Sequence, residues 1–192
     1  MYMDIKNKKY HTAMLAVAFV IMMAMSLPAG AQKIGLRTSM TMWATLTPNI
    51  EVSYKAGEHV TLHFPFYYNP WIFKENSRFQ QVTIQPGARY WVKKANVGWF
   101  ASGAVVLSRF HVGGWFNHKY RYDGRYYGLG TGGGYAWILS KRLNLEVEGM
   151  VGPVYANYDK CSWESHSRKY SKEKGLRFLP LRADVSLVWF LK

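Results

Sequence analysis

The chain contains almost no cysteine: Cys161 is the only one in 192 residues. A disulfide framework within the chain is therefore excluded, and Cys161 either stays a free thiol or pairs with another protein. Acidic residues are also scarce, with 11 Asp and Glu against 25 Lys and Arg, which gives a net charge of +14. Such a charge favours an anionic partner.

A long apolar run is missing from the sequence after residue 31. No segment there resembles a membrane-crossing helix, which needs roughly 20 apolar residues. If this part of the chain lies in a membrane, we expect it to cross as strands, because only helices and closed barrels satisfy their backbone polar groups in lipid. The length predicts a single domain, residues 32–192.

Residues 1–31 have the features of a secretory signal peptide. Three lysines among the first nine residues form a basic start, and residues 13–27 form an uncharged apolar run that is too short to span a bilayer. The small residues at 29–31 predict cleavage between Ala31 and Gln32. An export signal argues against nucleic acid as the partner of this basic chain.

Two long stretches of alternating sequence dominate the rest of the chain, at 126–139 and 143–158. Each places apolar residues at every second position. Since successive side chains of a strand point to opposite faces, the pattern predicts a long hairpin with one apolar face. Glu146 and Glu148 lie on the other face and must avoid lipid. Each arm is long enough for a tilted bilayer-crossing strand of roughly 9–11 residues, so we expect the apolar face to contact lipid and the polar face to line a barrel.

Other segments alternate in the same way and complete an all-β fold, an eight-stranded antiparallel up-and-down transmembrane β-barrel. In the fifth strand the alternation is weakest, and Trp99, Ala101, Val105 and Leu107 are placed outward. The six further strands are predicted at 34–44, 50–56, 59–66, 79–91, 97–108 and 178–192.

The predicted connections alternate between short and long. Those after the second, fourth and sixth strands are short, whereas those at 67–77, 109–124 and 159–175 are predicted as long loops; the short first outer connection, at 45–49, is an exception. This asymmetry is typical of outer-membrane barrels, which have short periplasmic turns and long extracellular loops.

Charged residues on the inward face form a candidate site inside the barrel. Because side chains about fill the interior of an eight-stranded barrel, we interpret these residues as an ion-pair network that packs the lumen. An alternative makes Glu146 and Glu148 the acid/base pair of an enzyme. The predicted network consists of Arg37, Glu51, Lys55, Arg89, Glu146, Glu148, Arg182 and Asp184.

The inward glycines at 128–134 are expected to make room for the arginines of this network and to let the sheet curve. Three histidines fall in the predicted outer loops, His111, His118 and His166, but no ligand spacing supports a metal site. We therefore expect no catalytic, metal or cofactor site.

Aromatic residues on the outward face are predicted to form two belts at the lipid interfaces. One belt lies next to the short turns and the other near the opposite end. The predicted members are Tyr90, Trp99, Trp137 and Trp189 in the first belt, and Phe64, Phe66, Tyr127 and Tyr155 in the second.

Short motifs through nearly all of residues 32–192 carry a family resemblance. The most specific are Tyr68-Asn69-Pro70-Trp71 and Arg89-Tyr90-Trp91. They are accompanied by Met42-Trp43-Ala44-Thr45, Thr47-Pro48-Asn49, Phe73, Gln85-Pro86, Tyr122-Asp123-Gly124, Tyr135, Trp137-Ile138-Leu139, Asn144-Leu145-Glu146 and Tyr155. The set resembles a Bacteroidota family of small outer-membrane β-barrel proteins that is catalogued as a domain of unknown function. The resemblance implies a barrel without an assigned activity, and some members are similar to proteins encoded near fimbrial assembly components.

Taken together, these features predict a non-enzymatic protein of the cell outer membrane with a structural or surface-interaction role. The expected partners are outer-membrane lipids including lipopolysaccharide, the barrel-assembly machinery, and fimbrial or other surface proteins. Two alternatives remain open from the sequence. One is an outer-membrane enzyme acting on lipid or peptide, and the other is a soluble periplasmic barrel that binds a small apolar ligand.

Overall fold

The structure, a computed structural model, describes residues 33–72, 77–113, 120–162 and 169–191. The predicted signal peptide and its cleavage site lie outside these residues, as do His118 and His166. In the part of the chain that is described, no helix has the length and apolar character needed to cross a membrane.

Nine antiparallel strands and one five-residue helix make up the described chain. Their bounds are β1 Ile34–Ser39, α1 Met40–Ala44, β2 Asn49–Lys55, β3 Val60–Ile72, β4 Arg78–Ile84, β5 Gly87–Trp91, β6 Gly98–Gly113, β7 Tyr120–Ser140, β8 Leu143–Ser162 and β9 Lys169–Phe190.

The sheet closes on itself because β1 pairs with both β2 and β9. Strands β4 and β5 lie in line, since both pair with β3 on one side and with β6 on the other. Their separation falls at Gln85 and Pro86, where proline has no backbone N–H to donate. The wall therefore has eight strand positions, and the prediction of a closed, antiparallel, eight-stranded barrel is confirmed.

Burial alternates along the strands as the sequence predicts. On β8, Glu146 is 2% exposed, Val147 39% and Glu148 1%. The outward placement of Trp99, Ala101, Val105 and Leu107 on β6 is also confirmed. Charged side chains thus point into the barrel, and large apolar side chains cover its outside.

One end of the barrel, which we call the terminal end, holds the start of β1, the end of β9 and three short turns. The turns cover residues 56–59, 92–97 and 141–142. The interior is closed there by Trp91, which is fully buried against Phe100 with a ring-centroid distance of 4.6 Å and donates a hydrogen bond to Thr61 Oγ1 at 3.0 Å. This cluster packs the interior at the terminal end.

The first predicted strand, 34–44, was wrong in its second half. β1 ends at Ser39, which caps α1 by accepting a hydrogen bond from the Met42 N–H at 3.1 Å. Serine is a favoured N-cap because its side chain replaces a missing backbone acceptor. The alternation of methionines in this segment resembled a strand, but the cap turns the chain out of the sheet.

The three predicted long loops were also wrong in extent. Strands β3, β6, β7, β8 and β9 run through most of 67–77, 109–124 and 159–175. In the extensions of β6 to β9 the outward residues are mostly polar or charged, so the alternation that identifies a half-buried strand disappears there. Hydrogen bonds between neighbouring strands nevertheless continue. We call this opposite end of the barrel the extended end.

A β-bulge on β9 changes which face of the sheet the residues before Arg182 point to. Met150 pairs with Arg182 and Val151 pairs with Pro180, so Leu181 is an extra residue. Period-two alternation within the predicted strand 178–192 puts Leu179, Leu181 and Ala183 on one face, and the extra residue shows that expectation to be wrong. Leu181 turns inward, where its Cδ1 would lie 2.9 Å from a Cβ on Gly130. Proline within a strand commonly marks such a bulge, because it cannot donate to the ladder.

Over residues 169–185, the described part of β9 pairs with β8 but not with β1. Its pairing with β1 ends at Ser186, whereas its pairing with β8 continues to Lys169. The α1 segment fills the base of this gap, where Thr41 Oγ1 accepts a hydrogen bond from the Val185 N–H at 3.0 Å. The barrel wall is consequently low at β1 and β2 and tall from β6 to β9.

Candidate functional site

The interior of the barrel brings together seven of the eight predicted network residues, all at most 5% exposed. The centre of the network is one carboxylate oxygen, Glu148 Oε2. It accepts hydrogen bonds from Arg37 Nη1 at 2.8 Å, Arg89 Nη2 at 2.9 Å and Arg182 Nη1 at 2.7 Å. Three arginines from three different parts of the wall therefore converge on a single side chain of β8.

Two further carboxylates complete the arginine contacts. Glu51 Oε1 lies 2.7 Å from Arg89 Nη2, and Glu51 Oε2 lies 3.3 Å from Arg182 Nη1. Asp184 Oδ2 lies 3.1 Å from Arg37 Nη2. The attraction within such buried pairs offsets the desolvation cost of the charged groups only when most of their polar atoms have partners, as they do here.

Glu146 is the weakly held member of the network. Its ion pair is with Arg37 Nη1 at 3.5 Å, and its Oε2 accepts no hydrogen bond from the described residues. The network contains three guanidinium groups and four carboxyl groups, so one carboxyl exceeds the charge balance. Glu146 is the group whose charge the network needs least.

Lys55, the eighth predicted member, lies apart from the network. It is half-buried at the end of β2 and forms no ion pair with a described residue. The structure instead adds Gln85, whose Oε1 accepts hydrogen bonds from Arg182 Nε at 3.3 Å and Nη2 at 3.0 Å. Gln85 lies four residues before Arg89 and is buried on the same inward face, and this period-two spacing was the available signal for its role.

The space around the network is filled. The gap bordered by Arg37, Glu51, Tyr67 and Asp184 has no room for a water molecule. Glu146 and Glu148 are themselves at most 2% exposed.

The inward glycines of β7 face other partners than the predicted arginines. A Cβ on Gly134 would lie 2.6 Å from Phe100 Cζ, and one on Gly130 would lie 2.9 Å from Leu181 Cδ1. A Cβ on Gly132 would overlap the backbone carbonyl of Gly149 on β8. These glycines thus allow β7 and β8 to approach closely and make room for apolar side chains, and the expectation about arginines was wrong.

The predicted aromatic residues all lie on the outward face. Tyr90, Trp99, Trp137 and Trp189 are between 46% and 66% exposed near the terminal end. Tyr127 and Tyr155 pair on neighbouring strands with ring centroids 5.5 Å apart. Phe64 and Phe66 are exposed but lie in the middle of β3, which continues to Ile72, so the end of that strand carries Tyr68 and Trp71 instead.

On the outward face of the extended end, residues that are register partners on neighbouring strands form rows across the wall. Two such rows lie next to each other. The first, which we call the girdle row, is apolar or aromatic; the second, the basic row, lies two residues further along each strand. The girdle row consists of Ile84, Leu107, Tyr127, Tyr155 and Leu176. The basic row consists of Val82, Arg109, Arg125, Asn157 and Lys174.

An open groove of about 760 Å³ lies over these rows. It is lined by members of both rows and by Asp123, Asp159 and Lys172 from the next row out. The groove therefore combines an apolar floor with a charged upper edge. Five of its lining residues had been predicted in loops: Arg109, Asp123, Gly124, Asp159 and Lys172.

Of the three histidines predicted in loops, the structure describes His111, which lies two residues beyond Arg109 on β6. His111 Nδ1 lies 3.5 Å from Asp123 Oδ2. Burial lowers the pKa of His111, and the nearby Asp123 only partly offsets this. Within the described ranges, no three His, Cys, Asp or Glu side chains are grouped so that they could hold a metal ion. Cys161 is a half-buried free thiol on β8.

A family model described as "Protein of unknown function (DUF3575)" matches residues 17–191. The predicted resemblance to a family of unknown function is confirmed. No curated protein and no solved structure matches the chain.

Proposed function

We propose, on the premise that this chain belongs to the DUF3575 family of proteins of unknown function, that it is a small outer-membrane β-barrel with a structural or surface-interaction role. The observation that carries the proposal is the polarity of the wall. Trp99 is 66% exposed and Leu129 62%, whereas Arg37 and Glu148 are at most 2% exposed. A water-soluble barrel would place these groups the other way round, and a lipid-facing barrel needs this arrangement.

The height of the apolar band supports this location. Trp137 and Tyr127 lie ten residues apart on β7, which corresponds to roughly 33 Å along the strand. With the strand tilt of about 35–45° that is usual in such barrels, the distance along the membrane normal is about 25 Å. This equals the apolar height of an outer-membrane barrel. The terminal end would face the periplasm, and the extended end would face outward.

The filled interior supports a role that involves neither transport nor catalysis. The Trp91 cluster closes the terminal end, and the arginine network fills the middle of the barrel. A porin-type channel needs a wider barrel with a water-filled lumen. The surfaces left for function are the outward wall and the tall β6–β9 extension.

The expected partners follow from those surfaces. Lipopolysaccharide and other outer-membrane lipids would contact the wall and the basic row. The barrel-assembly machinery would insert the strands, and fimbrial or other surface proteins would meet the extension, which offers charged and aromatic side chains to a partner.

Membrane fractionation with a gel-shift assay tests the proposal. The protein should remain in the outer-membrane fraction after carbonate extraction and require detergent for release. It should also migrate differently on a gel before and after boiling, because a folded barrel resists denaturation by detergent until heated. Release by carbonate alone would contradict the proposed location.

A further inference from the structure

The basic row contains two arginines that face each other without a counter-charge. Arg109 on β6 and Arg125 on β7 are register partners, and both side chains are exposed on the outward face. Residues directly opposite on neighbouring strands have Cβ atoms about 4.5–5.5 Å apart, and like charges in such pairs are destabilising. Neither guanidinium is within ion-pair distance of a carboxylate of the described chain.

The same row offers further polar contacts and contains no acidic residue. Arg125 pairs with Asn157, and Asn157 pairs with Lys174. The next row out does contain carboxylates: Asp123 Oδ2 lies 3.5 Å from His111 Nδ1, and Asp159 is the register partner of Lys172. The basic row thus has a local excess of positive charge that an anion would relieve.

The position of the row indicates where that anion comes from. The girdle row lies directly below it, and two residues along a strand correspond to roughly 6.6 Å. Leu107 and Tyr127 form part of the groove floor, and Arg109 and Arg125 form its upper edge. The groove therefore suits a molecule with an anionic group at the level of the arginines and an apolar chain at the level of the girdle row.

We propose that Arg109 and Arg125, with Asn157 and Lys174 beside them, bind the phosphate headgroup of an outer-leaflet lipid whose acyl chain lies over Leu107 and Tyr127. This inference rests on the proposed membrane location. Two guanidinium forks match the oxygens of one phosphate, and arginine is the preferred residue for such bidentate contacts. The phosphate also separates the two like charges, so binding stabilises the β6–β7 pair in the barrel.

The experiment measures the affinity of the folded full-length barrel for a phosphorylated lipid. The protein is placed in phosphatidylcholine nanodiscs with increasing amounts of bisphosphorylated lipid A, and its melting is followed by the boiling-dependent gel shift. The R109Q/R125Q variant should bind lipid A at least about tenfold more weakly, because it loses the charge-assisted contacts of both guanidinium groups with the phosphate. The R109K/R125K variant should recover only part of the affinity, since lysine lacks the fork.

A matched control removes the same charge from the other end of the barrel. Lys93 and Lys94 are exposed in the 92–97 turn, and K93Q/K94Q should bind lipid A like the wild type. Equal losses in the two double variants would indicate unspecific attraction and overturn the proposal. An unchanged affinity of R109Q/R125Q would overturn it as well.

A competition arm separates a lipid headgroup from a free ion. Millimolar inorganic phosphate should not displace lipid A, because it lacks the chain that lies on the girdle row; full displacement would reject the lipid as the ligand. The outcomes also separate this inference from the proposed function. A wild type that fails to enter nanodiscs contradicts the membrane location, whereas variants that insert and bind equally contradict only the headgroup site.

Discussion

Glu148 Oε2 on β8 lies 2.7 Å from Arg182 Nη1 on β9, and the same oxygen also accepts from Arg37 and Arg89. One buried carboxylate oxygen therefore holds three arginines that reach the lumen from β1, β5 and β9. Its neighbour on the same strand face, Glu146, forms one ion pair with the described residues, with Arg37 Nη1 at 3.5 Å. The two glutamates are equally buried, but Glu148 holds three arginines whereas Glu146 contacts one at a longer distance.

This difference predicts opposite outcomes for two otherwise identical substitutions. Glu148→Gln should destabilise the folded barrel by about 3–5 kcal/mol, the usual cost of removing one partner from a buried ion pair. Glu146→Gln should change stability by less than about 1 kcal/mol, because three cations then face three carboxylates and no uncompensated buried charge remains. Urea unfolding in detergent or lipid, followed by tryptophan fluorescence, gives both values. Equal midpoints for the two variants would contradict the assigned centre of the network.

The glycines of the β7–β8 hairpin allow a second matched comparison. Gly132→Ala would push a Cβ into the backbone carbonyl of Gly149, whereas a Cβ on Gly149 itself meets nothing within 4 Å. We expect Gly132→Ala to destabilise the barrel by about 1–3 kcal/mol, as overpacking usually does. Gly149→Ala should be neutral. The same unfolding assay applies, and a tolerated Gly132→Ala would show that the two strands can separate at that point.

Lipid contact of the outward wall predicts a contrast between two tryptophans. Trp99 is 66% exposed and Trp91 is fully buried. In single-tryptophan variants, lipids with brominated acyl chains should quench Trp99 strongly and Trp91 hardly at all, because bromine quenches by contact. Quenching by an aqueous quencher in place of the brominated lipid would indicate that the wall faces water.

His111 predicts a weak dependence of stability on pH. Burial lowers its pKa in the folded barrel, although Asp123 at 3.5 Å raises it in part. Since the unfolded chain then binds the proton more readily, the contribution of His111 to stability is present above its ordinary pKa near 6.5 and is lost as the pH falls through the lower, folded value. His111→Asn should therefore flatten the fall in unfolding midpoint below about pH 6.5. A variant with the same pH profile as the wild type would assign that fall to other groups.

Most of the barrel could be predicted from the sequence because alternation reports directly which face of a strand is buried. The faces of Glu146, Val147 and Glu148 follow from their neighbours two residues away. Alternation does not reveal the fold where the pattern of apolar and polar residues changes. The extensions of β6–β9 have polar residues on the outward face, so they looked like loops. At Ser39 a side chain replaces the next ladder bond, and at Leu181 an extra residue reverses the faces.

The sequence by itself determined the closed antiparallel barrel, the inward set of charges and the outward aromatic residues, because each depends on local periodicity. Only the tertiary structure decided that three arginines share Glu148 while Lys55 stays apart, and that Arg109 faces Arg125 above Leu107 and Tyr127. These relationships depend on strand register and on the shape of the wall. Both are set by contacts between residues far apart in the chain, which local alternation does not encode.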